Sequence, residues 1–380
     1  MVLSSWKRRG RRTLVAAALT TTVIAGTAGW ASAHEQRPLT GPPPGTASWR
    51  ADHALPVRMP DPASATPAQV GSFFAGLSPS EQHELVVRHP SVVGNLDGAP
   101  IALRYEANAR ALRAERDRAH AVAGDATRTE QERSAARARA ERCGELLAPQ
   151  RRILAFDPRG RGQVAEVYGD LGTARHVSVI VPGSDIDLDS FDRARDPYGT
   201  PAGMARALYR ATDARTAVVA WVGYTTPVGL GPDAATGRLA EAGAPRLARF
   251  AQGLVAVGAP RPAVFCHSYG SVVCGLAAAR LPASDLVVFA SPGVRADSVA
   301  DLHTRARVWA ARDDSDWIAK VPNVELFGLG HGADPTSSSF GARRIPAEKA
   351  EGHTGYFTPG TDSLRAFTDI ATGDSTGDTS

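Results

Sequence analysis

The chain has few cysteines and no second long hydrophobic run. Three cysteines in 380 residues are too few for a small scaffold built on disulfides. After residue 33, no uncharged stretch approaches the roughly 20 apolar residues that a membrane helix needs. With 43% hydrophobic and 22% charged residues, the composition is that of an ordinary globular protein. The length allows about two domains.

The first 33 residues contain no Asp or Glu, and the formal net charge of +4 is concentrated there. This segment has five Lys and Arg residues, whereas the rest of the chain carries 38 basic and 39 acidic residues. A nucleic-acid partner would need a basic surface on the folded part. The charge distribution therefore argues against nucleic-acid binding.

The N-terminal segment has the pattern of an export signal. Residues 1–12 form a cationic head, residues 13–30 are uncharged, and Ala31-Ser32-Ala33 is a small-residue cleavage site. The pair Arg11-Arg12 also fits a twin-arginine signal. We expect a signal peptide over 1–33, cleavage after Ala33, and a secreted protein. An uncleaved anchor is the alternative, which the threonines and glycines of the stretch disfavour.

The next 116 residues divide by composition. Residues 34–67 are rich in Pro, Ala and Thr without an apolar period, which predicts an extended linker. Residues 68–149 have a helical pattern, with a start signal at Ser78-Pro79. Within it, two Arg/Ala/Glu-rich stretches predict a helical hairpin with a solvated charged face. The Gly-, Ser-, Thr- and Asp-rich tail, 373–380, is predicted to be disordered.

From 150 to 372 the sequence alternates between strand and helix patterns. An antiparallel hairpin is predicted first, at 153–156 and 164–168. Six further strands are predicted at 176–181, 216–221, 263–266, 286–290, 306–311 and 323–329. Helical segments between them indicate parallel βαβ units covered on both faces. A hairpin followed by six strands is the eight-stranded plan of the α/β-hydrolase fold.

The strongest local signal lies after the fifth predicted strand. Ser268 stands between a strand and a helical run, and Gly270 follows it two residues later. This is the pattern of a nucleophile elbow, which exposes a serine hydroxyl over the sheet edge. The usual motif has Gly where this chain has Cys266. The alternative is a turn whose serine only caps the helix.

Cys266 and Cys274 are predicted to approach each other at the elbow. Gly270 and Cys274 share one helix face, and that face covers the strand that carries Cys266. The spacing allows a disulfide, and two buried free thiols are the alternative. Cys143 is expected to be a free thiol in a helix.

A serine nucleophile needs a base, and the base needs an acid to orient it. In this fold the chain order is Ser, acid, His. Asp316 is our choice of acid and Asp313 the alternative, since both follow the seventh predicted strand. His331 follows the last predicted strand, and spacing alone favours it slightly over His353 as the base. His267 is expected to point away from Ser268 and to pack or hydrogen-bond.

Two backbone N–H groups must stabilise the oxyanion. The amide of Tyr269 follows the nucleophile, and the amide of Ser184 lies in the loop after the third strand. The loop continues as an aspartate-rich run similar to a calcium loop, but Ser190 replaces its turn glycine and no flanking helix pair is evident. We expect an acidic rim and no metal.

Ten short phrases together resemble an actinobacterial α/β-hydrolase family long catalogued as a domain of unknown function. The resemblance covers about residues 76–373. The phrases are Gly-Leu-Ser-Pro at 76–79, His-Pro at 89–90, Gly-Asn-Leu-Asp-Gly-Ala-Pro at 94–100, Val-Pro-Gly at 181–183, Trp-Val-Gly-Tyr at 221–224, His-Ser-Tyr-Gly-Ser at 267–271, Ser-Pro-Gly at 291–293, Asp-Pro at 334–335, Phe-Gly-Ala at 340–342 and Gly-His at 352–353.

The resemblance implies that Ser268 is the nucleophile and that His353, in the Gly-His phrase before Tyr356, is the base. We therefore predict a secreted serine hydrolase that cleaves an ester or related acyl bond of a small molecule or lipid, without a cofactor. Two alternatives remain open at this point. One is an acyltransferase to a cell-wall or lipid acceptor, and the other is a non-catalytic envelope-binding module.

Overall fold

The computed structural model describes residues 35–375. The predicted signal peptide and the last five residues of the predicted tail lie outside this range. Within residues 35–375, no helix has the length and hydropathy required to cross a membrane.

One eight-stranded sheet organises the structure and confirms the predicted α/β-hydrolase fold. Its strands are β1 (Ile153–Asp157), β2 (Gln163–Tyr168), β3 (His176–Val181), β4 (Thr216–Val222), β5 (Ala263–His267), β6 (Asp285–Phe289), β7 (Arg307–Ala311) and β10 (Arg343–Arg344). Their spatial order is β1-β2-β4-β3-β5-β6-β7-β10. Strand β2 pairs antiparallel with β1 and with β4, and all the other neighbouring strands of this sheet pair parallel.

The prediction of the last strand at 323–329 is wrong. This segment forms a separate two-stranded hairpin, β8 (Glu325–Leu326) and β9 (Leu329–Gly330). Phe327 and Gly328 have φ angles of 52° and 80° and make a tight turn that interrupts the apolar run. The eighth strand of the main sheet is instead β10, which pairs parallel with β7.

Helices cover both faces of the sheet. The α-helices are Thr46–Arg50, Pro67–Ala75, Pro79–Arg88, Pro90–Val93, Ile101–Gly124, Glu130–Leu146, Pro201–Ala211, Pro232–Ala235, Arg238–Ala256, Gly270–Ala277 and Asp362–Thr372. Successive strand residues point to opposite faces, so Val264 joins the core beneath Arg238–Ala256 and Gly270–Ala277. Phe265 joins the core beneath Pro201–Ala211 and Asp362–Thr372. Strands β3 and β5 pair parallel, so their carboxyl ends lie side by side.

The prediction of an extended linker over residues 34–67 is wrong for the described part. Residues Thr46–Arg50 form a helix, and Trp49 is 1% exposed. Its indole Nε1–H donates to the carbonyl of Pro60 at 2.8 Å, and its ring packs in a small core with Val70, Phe74 and Leu85 among others. Trp49 supplies much of the apolar surface that anchors this Pro- and Ala-rich segment, and Leu55, Met59 and Ala65 pack in the same core.

Candidate active site

The segment around Ser268 forms a tight turn from strand β5 into helix Gly270–Ala277. Ser268 has a φ of 52°, a strained backbone conformation for a non-glycine residue. A Cβ on Gly270 would lie 2.5 Å from the carbonyl oxygen of Pro182, and a Cβ on Gly183 would lie 2.6 Å from the Cβ of Ser268. Only glycine at both positions lets the neighbouring loop approach this closely. The local geometry is therefore that of a nucleophile elbow.

Cys266 and Cys274 form a disulfide, with an S–S distance of 2.10 Å. The side chain of Cys266 points from the strand to the helix that follows the turn, so it fills the space between them instead of obstructing the elbow. Cys143 is a buried free thiol. Burial raises the pKa of Cys143 to about 11, which keeps this thiol protonated and unreactive.

The structure brings Ser268, His353 and Asp316 into one hydrogen-bonded chain. His353 Nε2 lies 2.9 Å from Ser268 Oγ, and His353 Nδ1 lies 2.8 Å from Asp316 Oδ1. In a neutral imidazole, an Nδ1–H that donates to the carboxylate leaves Nε2 free to accept the serine proton. Ser268 is 8% exposed and Asp316 1% exposed, so the hydroxyl is nearer to solvent than the acid. This arrangement can deprotonate the serine as it attacks.

Three donors surround the carboxylate of Asp316. Besides His353, the amide of Ile318 donates to Oδ1 at 2.9 Å and the hydroxyl of Tyr356 donates to Oδ2 at 2.9 Å. Burial acts to raise the pKa of Asp316, but the bonds from His353, Ile318 and Tyr356 outweigh it and hold the pKa below its usual value. The group therefore remains a carboxylate, as the orientation of a base requires.

Asp313, the alternative acid, is not hydrogen-bonded to His353. Its Oδ1 accepts from the amide of Ser315 at 2.8 Å and from the Ser315 hydroxyl. The hydroxyl oxygen of Ser315 accepts in turn from the amide of Gly352 at 2.8 Å, next to His353. The main-chain amide of Asp313 donates to the Tyr356 hydroxyl at 2.9 Å. Asp313 thus fixes the loop that carries His353.

His331, the alternative base, is committed elsewhere. Its Nε2 lies 2.7 Å from the carbonyl oxygen of Ala234, and its ring packs edge-on against Tyr269 with centroids 5.5 Å apart. Burial lowers the pKa of His331, which favours the neutral ring. The ring therefore connects helix Pro232–Ala235 to the elbow.

Two aromatic contacts of this site were not predicted from the sequence. Tyr356 bonds to Asp316, and its position three residues after His353 is the only sequence signal that could have suggested this. The ring of Trp317 packs on His353 with centroids 4.6 Å apart. The predicted orientation of His267 agrees with its position in the structure, where its ring stacks on Phe289 with centroids 5.2 Å apart.

The two predicted oxyanion donors flank Ser268. The Tyr269 amide follows it in the chain, and the Ser184 amide follows Gly183, where an added Cβ would lie 2.6 Å from Ser268 Cβ. Among residues 35–375, neither amide donates a hydrogen bond to a protein acceptor. The next amide, of Asp185, is turned away and donates to the carbonyl of Pro227 at 2.8 Å. The first two amides therefore remain available to an oxygen held near Ser268.

Exposed apolar side chains lie on two segments connected to this site. One segment, 227–230, is held by Asp185, whose carboxylate accepts from the amide of Gly229 at 2.8 Å. The other is residues 324–330, which contain the β8–β9 hairpin. Leu329 of this segment bridges to Thr236, and the carbonyl of Thr236 accepts from the Tyr269 hydroxyl at 2.7 Å. We call them the apolar rim; its exposed members are Val228, Leu230, Val324, Leu326, Phe327 and Leu329.

Comparisons with known proteins agree with the fold. Residues 157–326 match the family model described as alpha/beta hydrolase. The chain is 28% identical to an uncharacterized protein of Mycobacterium tuberculosis (strain ATCC 25618 / H37Rv) over 84% of this chain, and it spans 57% of that relative's length.

Among solved structures, the chain is similar to dienelactone hydrolase from Anabaena variabilis, at 17% identity and a TM-score of 0.37 over 59% of this chain and 96% of that one. It is also similar to a predicted CIB-like hydrolase from Thermoplasma acidophilum, at 15% identity and a TM-score of 0.36 over 58% of this chain and 94% of that one.

Proposed function

We propose that the chain is a serine hydrolase that cleaves a carboxylic ester or a related acyl bond. The carrying observation is the hydrogen-bonded chain from Ser268 through His353 to Asp316, at 2.9 and 2.8 Å. The positive φ of Ser268 supports the same role, because backbone strain of this kind is maintained where a side chain must be presented.

The reaction proceeds through an acyl-enzyme. The Oγ of Ser268 attacks the acyl carbon while His353 Nε2 accepts the hydroxyl proton, and the carbonyl oxygen becomes an oxyanion. Asp316 stabilises the imidazolium that results. His353 then returns the proton to the leaving alcohol as the C–O bond breaks. In the second half, His353 takes a proton from water as the water oxygen attacks the acyl-serine, and it then returns that proton to Ser268 Oγ as the acyl–Oγ bond breaks and the acid leaves.

The Tyr269 and Ser184 amides are our proposed oxyanion donors. Both lack a protein acceptor among the described residues, and both stand beside Ser268. Loss of one oxyanion donor costs about 100-fold or more in kcat in a serine protease. Because both donors are main-chain groups, no simple substitution removes them without moving the loop.

We propose an ester with an apolar part as the substrate. The apolar rim supports this, since Phe327 is 95% exposed and Leu230 73% exposed. Phe327 lies on the segment that is linked through Thr236 to Tyr269. Leu230 lies on the segment that is hydrogen-bonded to Asp185. A hydrocarbon chain that leaves the site along these side chains would remove apolar surface from water.

Export to an oxidising compartment is proposed on two grounds. The N-terminal pattern ends in Ala31-Ser32-Ala33, and the Cys266–Cys274 disulfide is of a kind that persists outside the cytosol. Secretion from an actinobacterial host followed by mass analysis should give a mature chain that begins at His34. A chain that remains cell-bound at full length would contradict this.

Ester hydrolysis by the purified protein tests the proposal. Wild type should release nitrophenol from p-nitrophenyl acyl esters, and Ser268→Ala should lose about 1000-fold or more of kcat. The matched control is Ser339→Ala, at an exposed serine outside the site, which should retain wild-type rates. A rate unchanged in Ser268→Ala would overturn the proposal. An added alcohol acceptor that is acylated in preference to water would identify a transferase with the same nucleophile.

A further inference from the structure

A cavity lies away from Ser268, between the N-terminal region, strands β1 and β2, and helix Arg238–Ala256. Its volume is about 410 Å³. We call it the arginine cavity, because four arginines line it: Arg104, Arg159, Arg246 and Arg249. Neither Ser268, His353 nor Asp316 contributes to its wall. The cavity is therefore distinct from the proposed active site.

The wall has two more guanidinium groups than carboxylates. Its two acids are Asp97 and Asp157. Asp157 is bound by Arg159 through both carboxylate oxygens. Asp97 Oδ1 accepts from Arg104 Nη1 at 3.1 Å. Each acid thus already has an arginine partner, which leaves the positive charges of Arg246 and Arg249 without a full counter-charge.

Arg246 has no acidic partner among residues 35–375. Its Nε–H donates to the carbonyl of Gly223 at 2.6 Å, and its Nη2–H donates to Gln163 Oε1 at 2.5 Å. Desolvation lowers the pKa of Arg246, a sign that burial opposes its charge. A partly buried charge without an acidic partner is costly, and an anion in the cavity would offset that cost.

Two further donors in the wall lack a protein acceptor in the described structure. One is the amide Nε2 of Gln163, a residue 5% exposed. The other is Nη2 of Arg249, whose acidic contact is Asp97 Oδ2, 3.8 Å from Nε. Buried donors are normally hydrogen-bonded. Here the carboxamide of Gln163 is fixed by Arg246, so its free N–H group belongs to the same cluster.

An aromatic surface adjoins these donors. Trp221 and Phe250 line the cavity, with ring centroids 6.0 Å apart. The guanidinium carbon of Arg104 lies 6.0 Å from the Phe250 centroid. A site that combines a few convergent polar groups with aromatic walls is typical of small-molecule binding.

We propose that the arginine cavity binds a small organic anion, with its carboxylate or phosphate held by Arg246, Arg249 and Gln163 and its organic part against Trp221 and Phe250. Arginine binds both oxyanions through paired N–H groups. Binding here would add a contact between the N-terminal region and the sheet, since residues 40–43 form part of the wall.

Calorimetric titration of the purified full-length protein tests this site. The probes are benzoate, phenyl phosphate, inorganic phosphate and, as the uncharged control, benzyl alcohol. At least one organic anion should bind with a Kd of about 1 mM or tighter, and more tightly than inorganic phosphate or benzyl alcohol. The preference between benzoate and phenyl phosphate assigns the anion as carboxylate or phosphate. The absence of binding by both would overturn the proposal.

Arg246→Gln and Arg249→Gln should each weaken binding about tenfold or more. The matched control Arg137→Gln removes the same charge from an exposed helix position (49% exposed side chain) and should leave Kd unchanged. Thermal melting of each variant verifies that it is folded, and two independent arginines keep the test valid if one variant is unstable. Equal Kd values in all three variants would overturn the assignment.

A chain whose Ser268 has been blocked with a fluorophosphonate separates the two sites. Anion binding should persist after the block, whereas loss of binding would assign the anion to the active site and contradict the proposal. If Ser268 cannot be labelled, the proposed hydrolase fails, but the arginine variants still decide the fate of the cavity.

Discussion

His267 Nε2 lies 2.9 Å from the main-chain carbonyl oxygen of His353. The residue before Ser268 thus holds the loop that carries His353. Burial lowers the pKa of His267 to about 3, so the ring is neutral at physiological pH and its Nε2–H donates to the carbonyl. The link positions the His353 ring over Ser268 without touching the reacting atoms.

The low pKa of His267 predicts a stability dependence on pH. In the unfolded chain a histidine binds a proton below a pKa of about 6.5, whereas folded His267 does not until about pH 3. Unfolding therefore takes up a proton between these values, and stability should fall as pH decreases through this window. Urea unfolding from pH 7 to 4 should show a shallower loss in His267→Gln, which keeps an N–H donor. Identical slopes in both proteins would contradict this.

The hydroxyl of Tyr356 donates to Asp316, the acid of the proposed triad. Tyr356→Phe removes a donor to Asp316 and leaves the buried amide of Asp313 without its acceptor. Leaving that amide unsatisfied should cost about 1–3 kcal/mol of unfolding free energy. We expect kcat for ester hydrolysis to fall about tenfold with KM nearly unchanged. Steady-state kinetics check this, and a variant with wild-type kcat would show that the hydroxyl does not support catalysis.

The elbow disulfide predicts the thiol content of the protein. Of three cysteines, only Cys143 is free, so Ellman titration of the denatured, unreduced chain should find one thiol. Reduction should raise the count to three. The double variant Cys266→Ala/Cys274→Ala should lose about 2 kcal/mol of unfolding free energy, since the closed loop is short. Three thiols before reduction would contradict the structure.

Phe327 is expected to influence substrate chain length. Its side chain is 95% exposed at the tip of the β8–β9 hairpin. Phe327→Ser should lower kcat/KM about tenfold for long-chain nitrophenyl esters and little for the acetyl ester. The control Val87→Ser replaces an exposed apolar residue of helix Pro79–Arg88 (47% exposed) and should alter neither. Equal losses on short and long esters would argue against an apolar rim for substrate.

The sequence indicated the elbow because its signal is local. Ser268 follows a strand and Gly270 begins a helix, so four consecutive residues carry the pattern. The histidines could not be distinguished in this way. Both His331 and His353 follow glycines late in the chain, and their partners are distant: Ala234 for one and Ser268 for the other, 97 and 85 residues away. Spacing favoured His331, and only the family resemblance favoured His353.

Long-range burial also explains the two errors in the fold. Trp49 lies in a segment whose composition predicts an extended chain, and its ring packs edge-on against Phe73, which belongs to the next helix. Apolar residues of the β8–β9 hairpin predicted a buried strand, yet Phe327 is almost fully exposed. Composition reports how apolar a segment is, but not which surface covers it.

The central claim is that Ser268 is activated by His353, and covalent labelling tests it most directly. A fluorophosphonate added to the folded wild-type protein should form one adduct, and peptide mass analysis should locate it on Ser268. His353→Ala should label at least about 100-fold more slowly, and Ser268→Ala should not label. An unlabelled wild-type protein, or an adduct that remains in Ser268→Ala, would contradict the account.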